Sequence, residues 1–194
     1  MFLELLNSWA VSFDLPILDW IQANWQSAFL DKIMPIITLL GDAGIFWIAL
    51  AVLLLFTRKY RKAGLGMGIA LMMGLVICNM ILKPTVMRPR PYDLQETMGV
   101  MINLIIDKQH DFSFPSGHTI ASFEACTVLL LADKKLGIPA TLLAILIAFS
   151  RLYLYVHYPT DVIASVILGT IFGIIGYLVT HKIKFSLKGK FLSK

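Results

Sequence analysis

The sequence predicts an all-α membrane protein, a polytopic bundle of five to six transmembrane helices with an interfacial helix at its N-terminus. Hydrophobic residues make up 58% of the 194 residues and charged residues 15%, whereas soluble domains have about 45–50% and about 25%. Several apolar stretches reach the roughly 20 residues that a helix needs to cross a bilayer. Lys and Arg are concentrated between these stretches. We therefore expect residues 1–194 to form a single integral-membrane domain.

Residues 1–28 are predicted to form an interfacial segment that precedes the bundle. They include Trp20 and Trp25, whose side chains are suited to the headgroup region of a membrane. The first residues are acidic and lack a positively charged region. We therefore expect no cleavable signal peptide at this end of the chain.

Five apolar stretches follow as predicted spans. In chain order they are 29–57, 63–82, 119–132, 136–156 and 162–180. The first is interpreted as one long or broken span because Pro35 and Gly41 interrupt it, and dividing it would give six crossings. The third is short, but the spans on both sides force it to cross. Its start is therefore expected to lie below the membrane surface.

The distribution of Lys and Arg predicts how these spans are oriented. With five crossings, the loops 57–62 and 133–135 and the tail 182–194 lie on one side, which carries 11 of the 17 basic residues. These are Arg58, Lys59, Arg61, Lys62, Lys134, Lys135, Lys182, Lys184, Lys188, Lys190 and Lys194. Basic loops remain in the cytoplasm, so we expect a cytoplasmic C-terminus. The basic residues are interpreted as topology determinants, and no nucleic-acid partner is expected.

Three polar clusters lie at the ends of spans on the opposite, extracytoplasmic side. They are KPTVMRPRP at 83–91, PSGH at 115–118 and SRLYLYVHYPTD at 150–161. The clusters are remote in sequence, but each lies at the same end of its span. Adjacent helices would therefore bring them together.

The clusters contain three cations at the edge of the hydrocarbon, Lys83, Arg90 and Arg151. Such charges are costly unless they are paired or functional. Asp161 is the only carboxylate within the clusters, so the cations outnumber the acids. An oxyanion is the expected missing partner, because arginine forks bind phosphate oxygens in pairs.

Acid–base and nucleophilic groups lie in the same clusters. Ser116 and Gly117 precede a predicted helix whose free N–H groups form a second anion cradle. His118 follows them, in position to exchange protons with a substrate. His157 and Asp161 are four residues apart and would share one face of a helix. A carboxylate bonded to one ring nitrogen leaves the other available as a nucleophile or base.

The three clusters resemble the signature of the type 2 phosphatidic acid phosphatase superfamily, which is K-x6-R-P, P-S-G-H and S-R-x5-H-x3-D. The signature is complete in this chain. It stands as Lys83 with Arg90 and Pro91, as Pro115, Ser116, Gly117 and His118, and as Ser150 and Arg151 with His157 and Asp161. The resemblance covers about 80 of the 194 residues.

The resemblance implies a metal-independent phosphatase that uses no cofactor. It implies that His157 forms a phosphohistidine, that Asp161 orients this imidazole, and that His118 is the general acid–base. The implied phosphate-binding residues are Lys83, Arg90, Ser116, Gly117 and Arg151, with Pro91, Pro115 and Ser150 in support. No metal site is expected.

The expected substrate is a polyprenyl or glycerophospholipid phosphate whose tail stays in the membrane. The compact, outward-facing form resembles undecaprenyl diphosphate phosphatases, and this substrate is preferred. Hydrolysis of phosphatidylglycerophosphate or phosphatidate, and phosphotransfer to another lipid, are the alternatives. A non-catalytic phosphate or lipid transporter would use the same cations, but simple anion binding does not require an oriented His157–Asp161 pair.

Three features outside the signature have separate interpretations. Arg88 is interpreted as a loop charge that reaches the lipid headgroups. Glu124 is either a functional intramembrane acid or a hydrogen-bonded packing residue. Segment 92–109 is either a lid or an amphipathic helix that contacts the lipid tail.

Overall fold

The computed structural model describes residues 2–182, and this part of the chain is helical, without a β-strand. Its ten α-helices are α1 (Phe2–Trp9), α2 (Leu15–Trp25), α3 (Ala28–Leu39), α4 (Ile45–Leu55), α5 (Arg61–Met73), α6 (Lys83–Val86), α7 (Pro91–Thr97), α8 (Gly117–Ala132), α9 (Lys134–Tyr153) and α10 (Pro159–Lys182). Ala10–Asp14 and Gly74–Leu82 are π-helical, and Asp42–Gly44 is a 3-10 turn. The predicted all-α class is confirmed. The tail predicted at 182–194 lies outside the described residues, apart from Lys182.

The N-terminal segment is one helix that packs on the bundle through an apolar face. α1, the π-helical Ala10–Asp14 and α2 follow one another without a break. Leu18 is buried in a cluster that also contains Tyr153 at the end of α9. Trp20 and Trp25 are about half exposed on the outer face, as an interfacial helix would require.

The predicted interruption near Gly41 is present between α3 and α4. α3 ends at Leu39, and the two helices are bent by 40° across the 3-10 turn. Ala43 and Gly44 both have positive φ, at 48° and 66°, a conformation that glycine adopts without a steric penalty. The stretch is therefore a broken helix, and the turn carries Asp42 at the break.

Helix lengths among the described residues agree with part of the predicted span count. Stretches within Arg61–Thr97, Lys134–Tyr153 and Pro159–Lys182 are long and apolar enough to cross a membrane. The bent pair of α3 and α4 supplies a fourth if it forms one span, whereas α8 has only 16 residues. Five to six crossings therefore stay a prediction.

Glycines allow the helices around α5 to pack in close contact. A Cβ added to Gly64 in α5 would lie 2.6 Å from the carbonyl oxygen of Ala51 in α4. A Cβ added to Gly176 in α10 would lie 2.3 Å from the carbonyl oxygen of Gly66. α8 packs against α5, α9 and α10. This central position presents the N-terminus of α8 to the polar ends of its neighbours.

Two loops that were predicted on the same side of the membrane meet at one end of the bundle. Lys59 Nζ lies 3.1 Å from the carboxylate of Asp133, and the hydroxyl of Tyr60 donates to the same carboxylate at 2.8 Å. α5 and α8 connect this end to the three polar clusters. The clusters therefore lie at the opposite end of the bundle.

Candidate active site

The three polar clusters line one cavity of about 880 Å³. Signature residues on its wall are Lys83, Arg90, Gly117, His118, Arg151 and His157. Ser116 and Asp161 are buried next to these residues and lie behind the cavity wall. Helix ends from four parts of the chain thus converge on one site.

His157 has different surroundings at its two ring nitrogens. It is buried in the turn between α9 and α10. Its Nδ1 lies 3.5 Å from Asp161 Oδ2 and 3.5 Å from Ser113 Oγ. Its Nε2 lies 3.4 Å from Nη1 of Arg90, on the cavity side. The carboxylate side is thus occupied by protein, while Nε2 is directed towards the cations.

The surroundings of His157 favour the neutral imidazole. Burial lowers the pKa of His157 well below its ordinary value, and the positive charges of Arg90 and Arg151 lower it further. A neutral imidazole has a lone pair at one nitrogen, which a nucleophile requires.

Asp161 lies in the first turn of α10 and is held by three donors. Its carboxylate accepts hydrogen bonds from Ser113 Oγ, from the backbone N–H of Tyr158 at 3.1 Å, and from Arg88 at 2.5 Å. The side chain is fully buried. These bonds fix the carboxylate oxygen that faces His157.

The interpretation of Arg88 as a loop charge among the headgroups is wrong. Its side chain is fully buried, forms ion pairs with Asp14 and Asp161, and lies 3.8 Å from the ring centre of Tyr158. No local sequence pattern predicts this pairing, because Asp14 is 74 residues away in the N-terminal helix.

Lys83 and Arg90 share one carboxylate, that of Asp111. Arg90 also donates to the backbone carbonyl of Val156 at 2.6 Å, which fixes its guanidinium beside His157. Burial alone would raise the pKa of Asp111, but its bonds with Lys83 and Arg90 lower this pKa to about 2. The half-exposed Asp111 is therefore an anion at the mouth of the site.

His118 is paired with Asp42 in the break between α3 and α4. Its Nε2 lies 2.6 Å from Asp42 Oδ1. Gly41 packs directly on the ring, since an added Cβ would lie 2.6 Å from His118 Cδ2. The break in the helix thus supplies an orienting carboxylate for the second histidine.

The start of α8 differs in detail from the predicted anion cradle. The N–H of Ser116 donates to Ser165 Oγ at 2.9 Å, and its hydroxyl accepts from Thr119. Ser116 is therefore engaged within the protein, whereas Gly117 lines the cavity. The first N–H groups of α8 have no carbonyl partner within the helix and remain directed towards this end.

The supporting residues of the signature are all buried. Pro91 begins α7, where the missing N–H of proline costs no helical hydrogen bond. Pro115 precedes the N-terminus of α8. Ser150 donates to the carbonyl of Ile147 within α9 at 2.6 Å.

Arg151 is the least neutralised cation in the site. Its side chain is buried, its Nη1 donates to Thr38 Oγ1 at 2.5 Å, and its Nε has no partner among the described residues. It forms no ion pair with any residue of 2–182, yet it lies on the cavity wall.

The cavity continues from the polar site into an apolar groove. α4 contributes Ile48 and Leu55 to its wall, which are about 10 Å apart at 1.5 Å per residue. Val52 and Met72 line the groove and are also about half exposed on the outer surface. The groove is therefore accessible from the side of the bundle.

The structure shows the surroundings of Glu124 and of segment 92–109, for which the sequence left two interpretations each. Glu124 is buried on the groove wall with its Oε1 unpartnered among the described residues. An added Cβ on Gly74 would lie 2.3 Å from this oxygen, so the carboxyl group packs directly on the π-helical segment. Segment 92–109 is helical only to Thr97. Six of its apolar residues, among them Tyr92 and Ile105, pack in the same cluster as the N-terminal helix, whereas Met98, Val100 and Met101 are exposed.

Four polar residues at the site were missed by sequence reasoning. They are Asp14, Asp42, Asp111 and Ser113. Asp42 lies beside the recognised Gly41 break, which was a usable signal. Asp111 and Ser113 lie just before the PSGH motif, and their partners are known only from the fold.

Comparison with known proteins places the three motifs within a recognised family. A family model described as the PAP2 superfamily matches residues 62–185. This range contains all three motifs of the signature. The matched family is the same one whose signature the three motifs resemble.

Relatives with sequence similarity cover most of the chain. The undecaprenyl-diphosphatase BcrC of Bacillus subtilis is 32% identical over 148 residues, which span 76% of this chain and 74% of that protein. An undecaprenyl-diphosphatase of Sulfolobus acidocaldarius is 32% identical over 161 residues, spanning 82% and 75%. The crystal structure of a transmembrane PAP2 type phosphatidylglycerolphosphate phosphatase from Bacillus subtilis has a TM-score of 0.74 and 26% identity, and the match covers 95% of each chain.

Proposed function

The chain belongs to the PAP2 superfamily, and from that premise we propose that it hydrolyses membrane lipid phosphates without a metal ion. The buried guanidinium of Arg151 carries the proposal. It faces the cavity without an ion-pair partner in residues 2–182 and lies in one wall with Lys83, Arg90 and His157. A buried cation is costly unless an anion joins it, and a phosphoryl group is the anion that suits this donor set.

The apolar groove supports a lipid as the carrier of that phosphoryl group. It begins at His118 and follows α4 to Leu55, so a hydrocarbon tail in the groove would hold its phosphate against the cations. The exposed rim at Val52 and Met72 lets such a substrate enter from the hydrocarbon.

In the first chemical step, Nε2 of His157 attacks phosphorus as the phosphorus–oxygen bond to the leaving group breaks. His118 donates a proton to the departing oxygen. Asp161 accepts the hydrogen bond of Nδ1–H and stabilises the positive charge that develops on the ring. Lys83, Arg90 and Arg151 bind the oxygens on which negative charge is spread.

In the second step, water attacks the phosphohistidine and the nitrogen–phosphorus bond breaks. His118, now neutral, accepts a proton from that water, while His157 returns to its neutral form and inorganic phosphate is released. Gly117 and the N–H groups at the start of α8 bind a phosphoryl oxygen, and Ser116 supports them through Ser165. Pro91, Pro115 and Ser150 hold the backbone of the three motifs.

The preferred substrate is undecaprenyl diphosphate, which would be converted to undecaprenyl phosphate. The two relatives named undecaprenyl-diphosphatase support it, because each matches over three quarters or more of this chain. Phosphatidylglycerophosphate is the second candidate, supported by the likeness over 95% of the chain to a phosphatase of that lipid.

We also propose that residues 1–194 form one multi-pass domain of the cell membrane, with the site on the extracytoplasmic face and the C-terminus in the cytoplasm. The site lies at the end of the bundle away from the Lys59–Asp133 contact. Basic loops favour the cytoplasmic side.

Phosphate release by the purified protein tests the proposed activity. Lipid mono- and diphosphates are assayed in detergent with EDTA, including undecaprenyl diphosphate and phosphatidylglycerophosphate. We expect release by the wild type and by His181→Ala, a control at the far end of α10. In His157→Ala we expect a loss of activity on the order of a thousandfold or more. An absolute requirement for Mg²⁺, or full activity of His157→Ala, would contradict the proposal.

A further inference from the structure

We propose that Arg88 and Asp14 are positioning residues of the active site, which set the charge and orientation of Asp161 and through it those of His157. The N-terminal helix would then be part of the catalytic apparatus and not only an interfacial anchor. The inference rests on the proposed phosphohistidine chemistry, but it concerns residues outside the signature.

Arg88 connects three elements through one buried guanidinium. Its Nη1 lies 2.5 Å from Asp161 Oδ1, and its Nη2 lies 2.7 Å from Asp14 Oδ2. Nη2 also donates to the backbone carbonyl of Leu6 at 3.0 Å. The face of the guanidinium lies 3.8 Å from the ring centre of Tyr158. These contacts determine both the position and the plane of the fork.

Asp14 completes this arrangement by holding Arg88 and the start of α10 together. Its Oδ1 accepts the backbone N–H of Thr160 at 2.9 Å, and its Oδ2 accepts the Thr160 hydroxyl at 2.7 Å. The same hydroxyl accepts from Arg88 Nη1 at 2.8 Å. Thr160 precedes Asp161, so Asp14 fixes the turn on which the orienting carboxylate lies.

Arg88 acts through Asp161 and does not bind the substrate. Its side chain and those of both acids are fully buried, and Arg88 lies outside the cavity wall. Arg90, two residues later, does line the cavity and approaches His157 Nε2. The two arginines of the RPRP sequence therefore have different functions, one behind the nucleophile and one in front of it.

Charged and titratable groups face the His157–Asp161 pair from every element packed around it. They are Asp14 from the N-terminal helix, Lys83, Arg88 and Arg90 from segment 83–90, Asp111 before α8, His118 in α8, Arg151 in α9, and the phenols of Tyr155 and Tyr158 in the following turn. Arg88 is the only cation among them that contacts Asp161 within the described residues. The positive charge of Arg88 disfavours protonation of the His157–Asp161 pair, and the negative charge of Asp14 weakens this effect.

This arrangement makes opposite predictions for two substitutions. In Arg88→Gln, the pair should take up a proton more readily, so the acid limb of kcat/KM should move to higher pH by about 1 to 3 units. In Asp14→Asn, the charge of Arg88 is no longer balanced, so the acid limb should move to lower pH. Arg88→Lys keeps the charge but loses the fork, so its acid limb should stay near that of the wild type with a reduced kcat.

The expected effect of Arg88→Gln on rate is a fall in kcat of roughly 10- to 100-fold, the size found when outer partners of metal-bound histidines are removed. KM should change less than threefold, because the cavity wall is intact. A rise in KM as large as the fall in kcat would indicate a distorted binding site and would overturn the assignment. Detergent gel filtration and thermal unfolding identify any variant that does not fold, and Arg88→Lys and Asp14→Asn then carry the test.

A second readout does not depend on turnover. Orthovanadate is a tetrahedral oxyanion whose vanadium accepts an imidazole nitrogen as a fifth ligand, so its affinity should decline when His157 is protonated. Calorimetric titration with orthovanadate over a range of pH gives the pH below which its affinity declines. This pH should be higher than in the wild type for Arg88→Gln and lower for Asp14→Asn. Displacements in the same direction, or none, would overturn the inference. Phosphate release by the wild type tests the proposed function separately.

Discussion

At the scale of single residues, the two histidines have similar carboxylate partners but different exposure. The side chain of His157 is 2% exposed and lies between Asp161 and the cations. The side chain of His118 is 15% exposed and is paired with the half-exposed Asp42. A nucleophile benefits from a fixed ring in a dry environment, and a general acid–base needs access to water in the hydrolytic step. The different exposure therefore agrees with the proposed division of labour.

The lowered pKa of His157 predicts the pH dependence of catalysis. Because this pKa lies well below 6.5, the imidazole is neutral at pH 7. Protonation of His157 should therefore not lower kcat/KM between pH 8 and pH 6.5. Since the pKa is lower in the folded than in the unfolded chain, protonation favours unfolding, and stability should decline as the pH falls below 6.5. Steady-state kinetics and thermal unfolding across pH 4–9 check this, and an acid limb above pH 7 would contradict it.

Asp42 is expected to assist the proton donated by His118. In Asp42→Asn we expect kcat to fall about tenfold, with a larger loss for a lipid monophosphate than for a diphosphate, because a leaving alkoxide needs the proton more than a leaving phosphate does. Kinetics with both substrate types measure the difference. Asp107→Asn, at an exposed loop position, is the matched control. An equal loss on both substrates would indicate a structural role.

At the scale of helices, the site is formed where regular structure ends or changes. His118 is the second residue of α8, His157 precedes α10, and Asp42 lies at the break between α3 and α4. Lys83 follows nine residues of π-helix, and π-helical segments occur frequently at functional sites. Interrupted helices direct side chains and N–H groups into the space between them.

The sequence predicted these ends better than it predicted the contacts between them. The apolar runs and the three motifs indicated the bundle and the residues Lys83, His118 and His157. Segment 74–82 contains no proline or other sequence signal for a π-helix, so this change of pitch could not be foreseen. The interpretation of Arg88 failed because its partner Asp14 lies in a helix that local patterns do not connect to the site.

The close packing of α5 predicts a contrast between two of its glycines. Gly64→Ala should destabilise the protein by about 1–3 kcal/mol, the usual cost of overpacking, because the added methyl would meet the backbone of α4. Gly68, one turn later, has open space around its Cβ position, so Gly68→Ala should be neutral or stabilise by up to roughly 1 kcal/mol. Thermal unfolding in detergent compares them. Equal melting temperatures would show that the close α4–α5 contact does not determine the stability of the protein.

At the scale of the whole molecule, the two ends of the bundle have different chemistry. One end carries the cavity and its cations, and the other carries the contact between Lys59 and Asp133. The apolar groove runs between them along α4. This polarity is what a membrane enzyme requires if the lipid phosphate approaches from one leaflet and its tail remains in the hydrocarbon.

The orientation can be tested with cysteines introduced at the two ends. The native Cys78 and Cys126 are buried, so their background labelling should be low. Asp107→Cys, near the site, should react with a membrane-impermeant maleimide on intact cells, whereas Lys135→Cys, at the other end, should react only after lysis. The reverse pattern would contradict an extracytoplasmic site.

The central claim is that His157 carries the phosphoryl group between lipid and water, and trapping this intermediate tests it most directly. Rapid quenching of a reaction with lipid labelled in its terminal phosphate, followed by peptide mapping under alkaline conditions, preserves phosphohistidine, which is stable in base and labile in acid. We expect base-stable label on the peptide that contains His157 in the wild type and none in His157→Ala. Label on another residue, or unchanged turnover by His157→Ala, would contradict the account.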